Sequence, residues 1–143
     1  MKIGFTGTRN GMSKLQIAFV LRAVGVCHVI EAHHGACIGA DYDFHKIARF
    51  LKVPVILHPG HNKQGQCFSR ADCQGAIKIY PERFYLDRDK DIVNSVDMMF
   101  ATPKSHVEEL RSGTWATIRY ARKKRKNILI VFPDGTYKVE NDY

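Results

Sequence analysis

Twice within its first sixty residues the chain passes from a short apolar run, through a glycine-bearing loop, into a segment with apolar residues at helical spacing. Ile3-Gly4-Phe5-Thr6 reads as a buried strand that breaks at Gly7-Thr8-Arg9-Asn10-Gly11. Ser13 then caps a helix whose apolar stripe is Leu15, Ala18, Phe19, Leu21 and Val24, ending near Gly25. Val29 to Ala32 gives a second strand, His33 to Asp41 a second loop, and a helix with Phe44, Ile47, Ala48 and Leu51 on its apolar side follows. Val53 to Leu57 is a third strand. Strands that alternate with helices need crossover connections, and these build a parallel sheet with helices on both faces.

The rest of the chain extends this pattern. Residues 59–81 lose all periodicity and are predicted to form a long loop, either a functional lid or a plain surface excursion. A helix is predicted over Tyr85 to Asn94, a strand over Asp97 to Ala101, and a last helix from Ser112-Gly113-Thr114 to about Lys126. Asn127 to Phe132 is the fifth strand, and Asp134-Gly135 in the tail is a hairpin signal for a small edge element. At 143 residues, 45% hydrophobic and 25% charged, residues 1–143 are expected to make one domain with its own core. No apolar stretch reaches the length of a membrane helix, so no membrane partner and a cytoplasmic location are expected.

In an open parallel sheet, ligands bind beyond the carboxyl ends of the strands, where loop amides and helix N-termini converge on an anion. Three loops occupy that position: Thr6-Gly7-Thr8-Arg9, the segment from Gly35 through Gly39 and Ala40 to Asp41, and Ser112-Gly113-Thr114. Neither Gly-x-Gly-x-x-Gly nor a P-loop lysine is present, which excludes the usual dinucleotide and NTPase sites and points to a smaller nucleotide or a derivative. Arg9, directly after the glycine turn, and Arg88, on the predicted helix before the fourth strand, are the cations placed near the phosphate. Arg88 also has Asp87, Asp89 and Asp91 around it, so an ion pair within its helix is the competing reading. Asp41 is a candidate for a ribose hydroxyl, or a first-turn acid serving the helix dipole. Asp97 and Asp41 join Glu108 and Glu109 as acids to consider, and His33, His34 and His45 as titratable groups near the cleft.

Charge and cysteines narrow the partners. Of the net +8, most falls between Lys104 and Lys126, where eight lysines and arginines face only Glu108 and Glu109. The tract Arg119 to Lys126 either holds nucleic-acid phosphates weakly or is the solvated C-terminal end of a helix. Cys27, Cys37, Cys67 and Cys73 have no paired spacing and read as reduced thiols. A zinc site from Cys67, Cys73, His58 and His61 matches no standard finger, so neither a metal nor a cofactor is expected.

The ordered series Gly4 to Arg9, His34 to Asp41, Tyr85 to Val93 and Ser112 to Ala121 resembles the SLOG superfamily. That group includes small Rossmann-like proteins of the YspA type, cytokinin-activating phosphoribohydrolases, molybdenum cofactor carriers and the DNA-processing protein DprA. The resemblance runs to about Pro133. It implies an α/β, Rossmann-like open sheet, mainly parallel and five-stranded, with a C-terminal hairpin or edge element, and often a homo-oligomer. It implies a nucleotide-derived ligand held by Thr6, Gly7, Thr8, Arg9, His34, Gly35, Gly39, Ala40, Asp41, Ser112, Gly113, Thr114 and Trp115. In the phosphoribohydrolases a helix-borne Arg and a Glu after the Gly-Thr pair assist cleavage of the N-glycosidic bond of a nucleoside monophosphate. Arg88 stands at the Arg position. Thr117 stands where the Glu would fall, and the Pro-Gly-Gly-x-Gly-Thr motif is replaced by a longer segment from Lys104 to Arg111. The implied catalytic set is therefore Arg88 with Glu108 or Glu109. The alternatives are a non-catalytic nucleotide sensor or carrier and a DprA-like nucleic-acid binder.

Overall fold

Period-two alternation puts every second residue of the central strands on the same side of the sheet. In β1 (Lys2–Gly7), Ile3 and Phe5 are buried on one face. The computed structural model describes residues 1–67 and 69–141. In chain order the remaining elements are α1 (Lys14–Val26), β2 (Glu31–His34), α2 (Ala40–Phe50), β3 (Val55–Leu57), β4 (Gly60–His61), β5 (Lys78–Ile79), β6 (Arg83–Phe84), α3 (Tyr85–Asn94), β7 (Met98–Thr102), α4 (Gly113–Lys123), β8 (Asn127–Val131) and β9 (Tyr137–Glu140). The main sheet runs β5-β3-β2-β1-β7-β8-β9, and all its pairings are parallel except β8 with β9.

The class is the α/β one that the alternation of elements implies, with seven strands in the sheet rather than five. The two extra strands are its edges. The C-terminal hairpin supplies β9, and the stretch 59–81 supplies β5 as well as β4, which pairs with β6 in a separate small ribbon. Two-residue strands leave no period to detect, and their pairing depends on backbone contacts from distant segments. The second strand starts two residues later than expected, so His33 and His34 lie in β2 and not in a loop.

Two cores flank the sheet. On one side α1 and α2 cover Ile3, Phe5, Phe100 and Leu129, and Phe44 of α2 stacks on Phe5 with ring centroids 4.4 Å apart. On the other, Ile92 and Val93 of α3 and Trp115, Ile118 and Ala121 of α4 cover Met99, Ala101, Ile128 and Ile130. The α1 stripe is rotated from the expected one. Leu15 and Ala18 are exposed, whereas Gln16, Val20 and Val24 are buried. The cause is Gln16, whose side-chain amide donates to the carbonyls of Pro103 and Val131 at 2.9 Å each while its Oε1 accepts from Ser13 N at 2.8 Å. With Ser13 Oγ accepting from Gln16 N at 3.1 Å, this completes a capping box and pins the start of α1 to the ends of β7 and β8.

Candidate functional site

Beyond the carboxyl ends of β1, β2 and β7 the loops enclose a cleft of about 480 Å³. Gly7, Gly35 and Gly113, from three separate loops, all line it, together with Thr6, Thr8, Arg9, Asp41, Ser112 and Thr114. Local structure explains what these loops offer. The Ser112 hydroxyl caps α4 by accepting from Trp115 N at 3.3 Å, and Ala116 N bonds to the Ser112 carbonyl, which leaves the amides of Gly113 and Thr114 without a partner among the described residues. In the first loop, Thr8 Oγ1 accepts from Asn10 N and the Thr8 carbonyl from Gly11 N. The amide of Arg9 likewise has no partner among the described residues. Unpaired amides at a helix N-terminus favour an anion.

Gly39 and Ala40 lie behind this surface rather than on it. The Ala40 amide donates to the Thr8 carbonyl at 2.9 Å, and Gly39, at φ +85° with a Cβ position only 2.2 Å from the Arg9 carbonyl oxygen, lets the two loops touch backbone to backbone. Gly7 has a similar tightness: a Cβ there would meet Thr102 Oγ1 at 2.4 Å and Ala40 Cβ at 2.5 Å. Asp41 lines the cleft but uses Oδ2 to accept from Gly35 N at 3.1 Å and Cys37 N at 3.2 Å, so it shapes its own loop. Burial lifts its pKa to about 6, against the lowering influence of Arg88 and of those amide bonds.

Arg88 is 6% exposed and reaches across from α3. Nη1 donates to the Gly35 carbonyl at 2.8 Å and to the His58 carbonyl at 3.0 Å, Nε to Asp89 Oδ1 at 2.8 Å, and Nη2 to Cys37 Sγ at 3.7 Å. Its ion pair is with its direct neighbour Asp89, and most of its donors bind protein atoms. Arg9 has no carboxylate partner among the described residues, and its guanidinium carbon lies 5.4 Å from the centre of the Tyr85 ring. Arg111 likewise has none, while Lys104 pairs with Glu109 at 3.6 Å, and all of these line the cleft.

No protein-family model matches the chain, and no curated protein matches it. Solved structures do. The molybdenum cofactor binding protein of Rippkaea orientalis superposes with a TM-score of 0.66 at 14% identity, over 92% of this chain and 76% of that one. The DNA processing protein A of Streptococcus pneumoniae gives 0.62 at 16% identity over 91% of this chain, which spans only 50% of that one. The Moco carrier protein of Chlamydomonas reinhardtii gives 0.59 at 15% identity, over 90% and 74%. The chain shares the α/β fold of these structures, as its resemblance to the SLOG superfamily implies.

Within this fold several residues singled out in the sequence stand away from the cleft. Trp115 is in the α3/α4 core, and His34 is fully buried in β2. Glu108 is exposed and bound to Arg122 at 2.9 Å and Arg119 at 3.2 Å. The basic tract is largely tied down: Arg119 also donates to the carbonyls of Glu109 and Leu110, Arg122 to Glu140 at 2.7 Å, and Lys126 to the Val96 carbonyl at 2.7 Å. Conversely Tyr85, Asp89, Lys104, Arg111 and Thr117 line the cleft, none of them among the expected ligand contacts. Asp89 was visible in the sequence only as a partner for Arg88.

Four of the seven histidines form two buried chains. Ala36 N donates to His34 Nδ1 at 3.0 Å, which places the His34 proton on Nε2, facing His45 Nδ1 at 2.9 Å, and His45 Nε2 then donates to the Gln74 carbonyl at 2.6 Å. His33 Nε2 meets Glu31 at 2.7 Å and its Nδ1 meets His58 Nε2 at 2.7 Å. The ligand atoms of His34, His45 and Cys73 lie within 4.8 Å of one another. They do not suit a metal, because the His34 nitrogen that would coordinate carries the proton that the Ala36 amide fixes there. Of the four residues considered for zinc, His58 is held by His33, and His61 Nδ1 by the Asn62 carbonyl.

Proposed function

We propose that the chain binds a nucleotide or nucleotide-derived phosphate ester in this cleft, its phosphate on the amides of Arg9, Gly113 and Thr114 and flanked by the guanidinium groups of Arg9 and Arg111. The observation that carries the reading is that unpartnered amides from two separate loops meet two cations without carboxylate partners, all among the described residues, at one rim of the sheet. A volume of about 480 Å³ is in the range of small-molecule sites. Two of the similar structures are named for binding or carrying the molybdenum cofactor, a precedent for a small-molecule ligand on this fold. Calorimetry with AMP, GMP, CMP and UMP tests the reading: saturable binding of at least one supports it, and no heat from any of them removes it.

Binding without chemistry is the form the residues favour. Thr117 carries no acid and donates its hydroxyl proton to the Gly113 carbonyl at 2.9 Å, and Glu108 is held by two arginines. A second reading, N-glycoside hydrolysis, has one observation on its side, that Glu109 lines the cleft. There its carboxylate would take a proton from the water that attacks the sugar carbon as the bond to the base breaks, and return it to the departing base nitrogen. Chromatography of the incubated nucleotides separates the two, since free base appears only if bonds are broken. A DprA-like use of the tract Arg119 to Lys126 is less favoured, because among its basic residues only the side chains of Lys123, Lys124 and Arg125 remain without ion pairs or hydrogen bonds among the described residues.

A further inference from the structure

The residue expected to meet a sugar hydroxyl, Asp41, is buried, and its Oδ2 is taken up by two backbone amides of its own loop. A different carboxylate is open. Asp89 lines the same cleft, its Oδ1 accepts from Arg88 Nε at 2.8 Å, and its Oδ2 has no geometric donor among the described residues. The Thr117 hydroxyl lies beside it and is also 2.9 Å from the Gly113 carbonyl, so its single proton serves one of the two acceptors at a time. With 20% of its side-chain surface exposed, what Asp89 faces is the cleft itself.

A ligand that fills the cleft strips water from this oxygen, and a desolvated carboxylate without a donor is costly. The phosphate cannot answer it, since two anions repel. The group that lands on Asp89 must therefore be a hydrogen-bond donor set apart from the phosphate, and a sugar hydroxyl is such a donor, forming a short, charge-assisted bond to a carboxylate. Arg9 and Asp89 line the same cleft, so its anion-binding and donor-binding parts adjoin. Burial raises the Asp89 pKa, while the charge and hydrogen bond of Arg88 oppose that rise.

We propose that Asp89 is a specificity-determining acceptor that selects phosphorylated ligands with a free sugar diol over their 2′-deoxy counterparts. The proposal rests on the phosphate-cleft reading above. A site built to bond a hydroxyl rejects the analogue lacking it, and for a bond to a charged acceptor the expected preference is about 10- to 100-fold.

The test is calorimetry on the full chain with AMP, GMP, CMP and UMP, each against its 2′-deoxy form, in the native protein and in Asp89→Asn. The expected result is a ribose preference of about 10-fold or more in the native protein, narrowed to under about 3-fold in the variant. The native comparison needs no variant, and a thermal melt of Asp89→Asn shows whether its fold survives the loss of the Arg88 pair. Equal binding of both sugars by the native protein overturns this inference and leaves the phosphate cleft standing. An undiminished preference in a folded Asp89→Asn overturns it as well. Failure of every nucleotide to bind removes the phosphate cleft, and this inference with it.

Discussion

The carbonyl oxygen of Gly35 accepts a 2.8 Å hydrogen bond from Nη1 of Arg88, 53 residues further along the chain. The same nitrogen holds the His58 carbonyl, so one guanidinium joins the loop after β2, the end of β3 and helix α3. Arg88 thereby sets the wall of the cleft. Its role in the structure is first that of a tie, whatever it contributes to a ligand.

Replacing Arg88 with alanine leaves two buried carbonyls and the Asp89 carboxylate without their donor, and the expected loss is about 3 kcal/mol or more of folding stability. Urea denaturation followed by circular dichroism measures it. Arg88→Lys restores the charge but not the fork, so it should recover only part of the loss. A loss below about 1 kcal/mol for Arg88→Ala would contradict the tie.

Gly39→Ala forces a side chain into a backbone with φ +85° and ψ −129°, and into the Arg9 carbonyl. The strain should cost about 1–3 kcal/mol and push the Thr8-Arg9 turn toward the cleft. Nucleotide affinity should fall along with the unfolding midpoint, although residue 39 does not line the cleft. A variant as stable as the native chain, with affinity unchanged, would show that the contact between the loops is not tight.

Arg9→Ala and Arg111→Ala should each weaken nucleotide binding by about 10-fold with little change in stability, because neither has an ion-pair partner among the described residues. The triple change Lys123→Glu, Lys124→Glu, Arg125→Glu at the far end of α4 should leave that affinity within about 3-fold at moderate salt. Calorimetry of all three proteins checks the contrast. The reverse pattern would move the anion site from the cleft to the basic end of α4.

Acid should weaken the fold through its histidines. Burial, with His33 and Arg88 adding to it, lowers His58 to about 3, and burial likewise holds His34 well below and His33 below the ordinary 6.5. Groups kept neutral in the folded state give stability that is complete above about 6.5 and lost as the pH falls through their folded values. Asp41 runs the other way, since a carboxyl lifted to about 6 favours the fold below about 4 and loses that contribution as the pH rises through 6. His58→Gln removes one of the acid-sensitive groups, so its stability should decline less between pH 6.5 and 4 than that of the native chain. Denaturation across that range decides it, and parallel declines would mean that His58 is not held neutral.

The features written locally in the sequence are the ones that emerged directly. Helix α3 spans Tyr85–Asn94 as its spacing predicts, Ser13 and Ser112 cap the helices they precede, and the glycines of three loops meet at one cleft. What was hidden depends on partners brought together from afar. Gln16 is buried because Pro103 and Val131 offer carbonyls 87 and 115 residues away, which turns α1 from its apparent stripe. Glu108 is drawn outward by Arg119 and Arg122, in the second and third turns of a helix whose packing no spacing reveals. Asp89 faces the cleft only because α3 lies beside α4, and in the sequence it is one of several acids around an arginine.

The account stands on the amides of Arg9, Gly113 and Thr114 gripping one anion together, and a ¹⁵N-resolved NMR titration with the best-binding nucleoside monophosphate observes those amides directly. The account predicts that their three signals move furthest and saturate at the same ligand concentration. Signals that stay fixed there while those of Lys123, Lys124 and Arg125 move would contradict it.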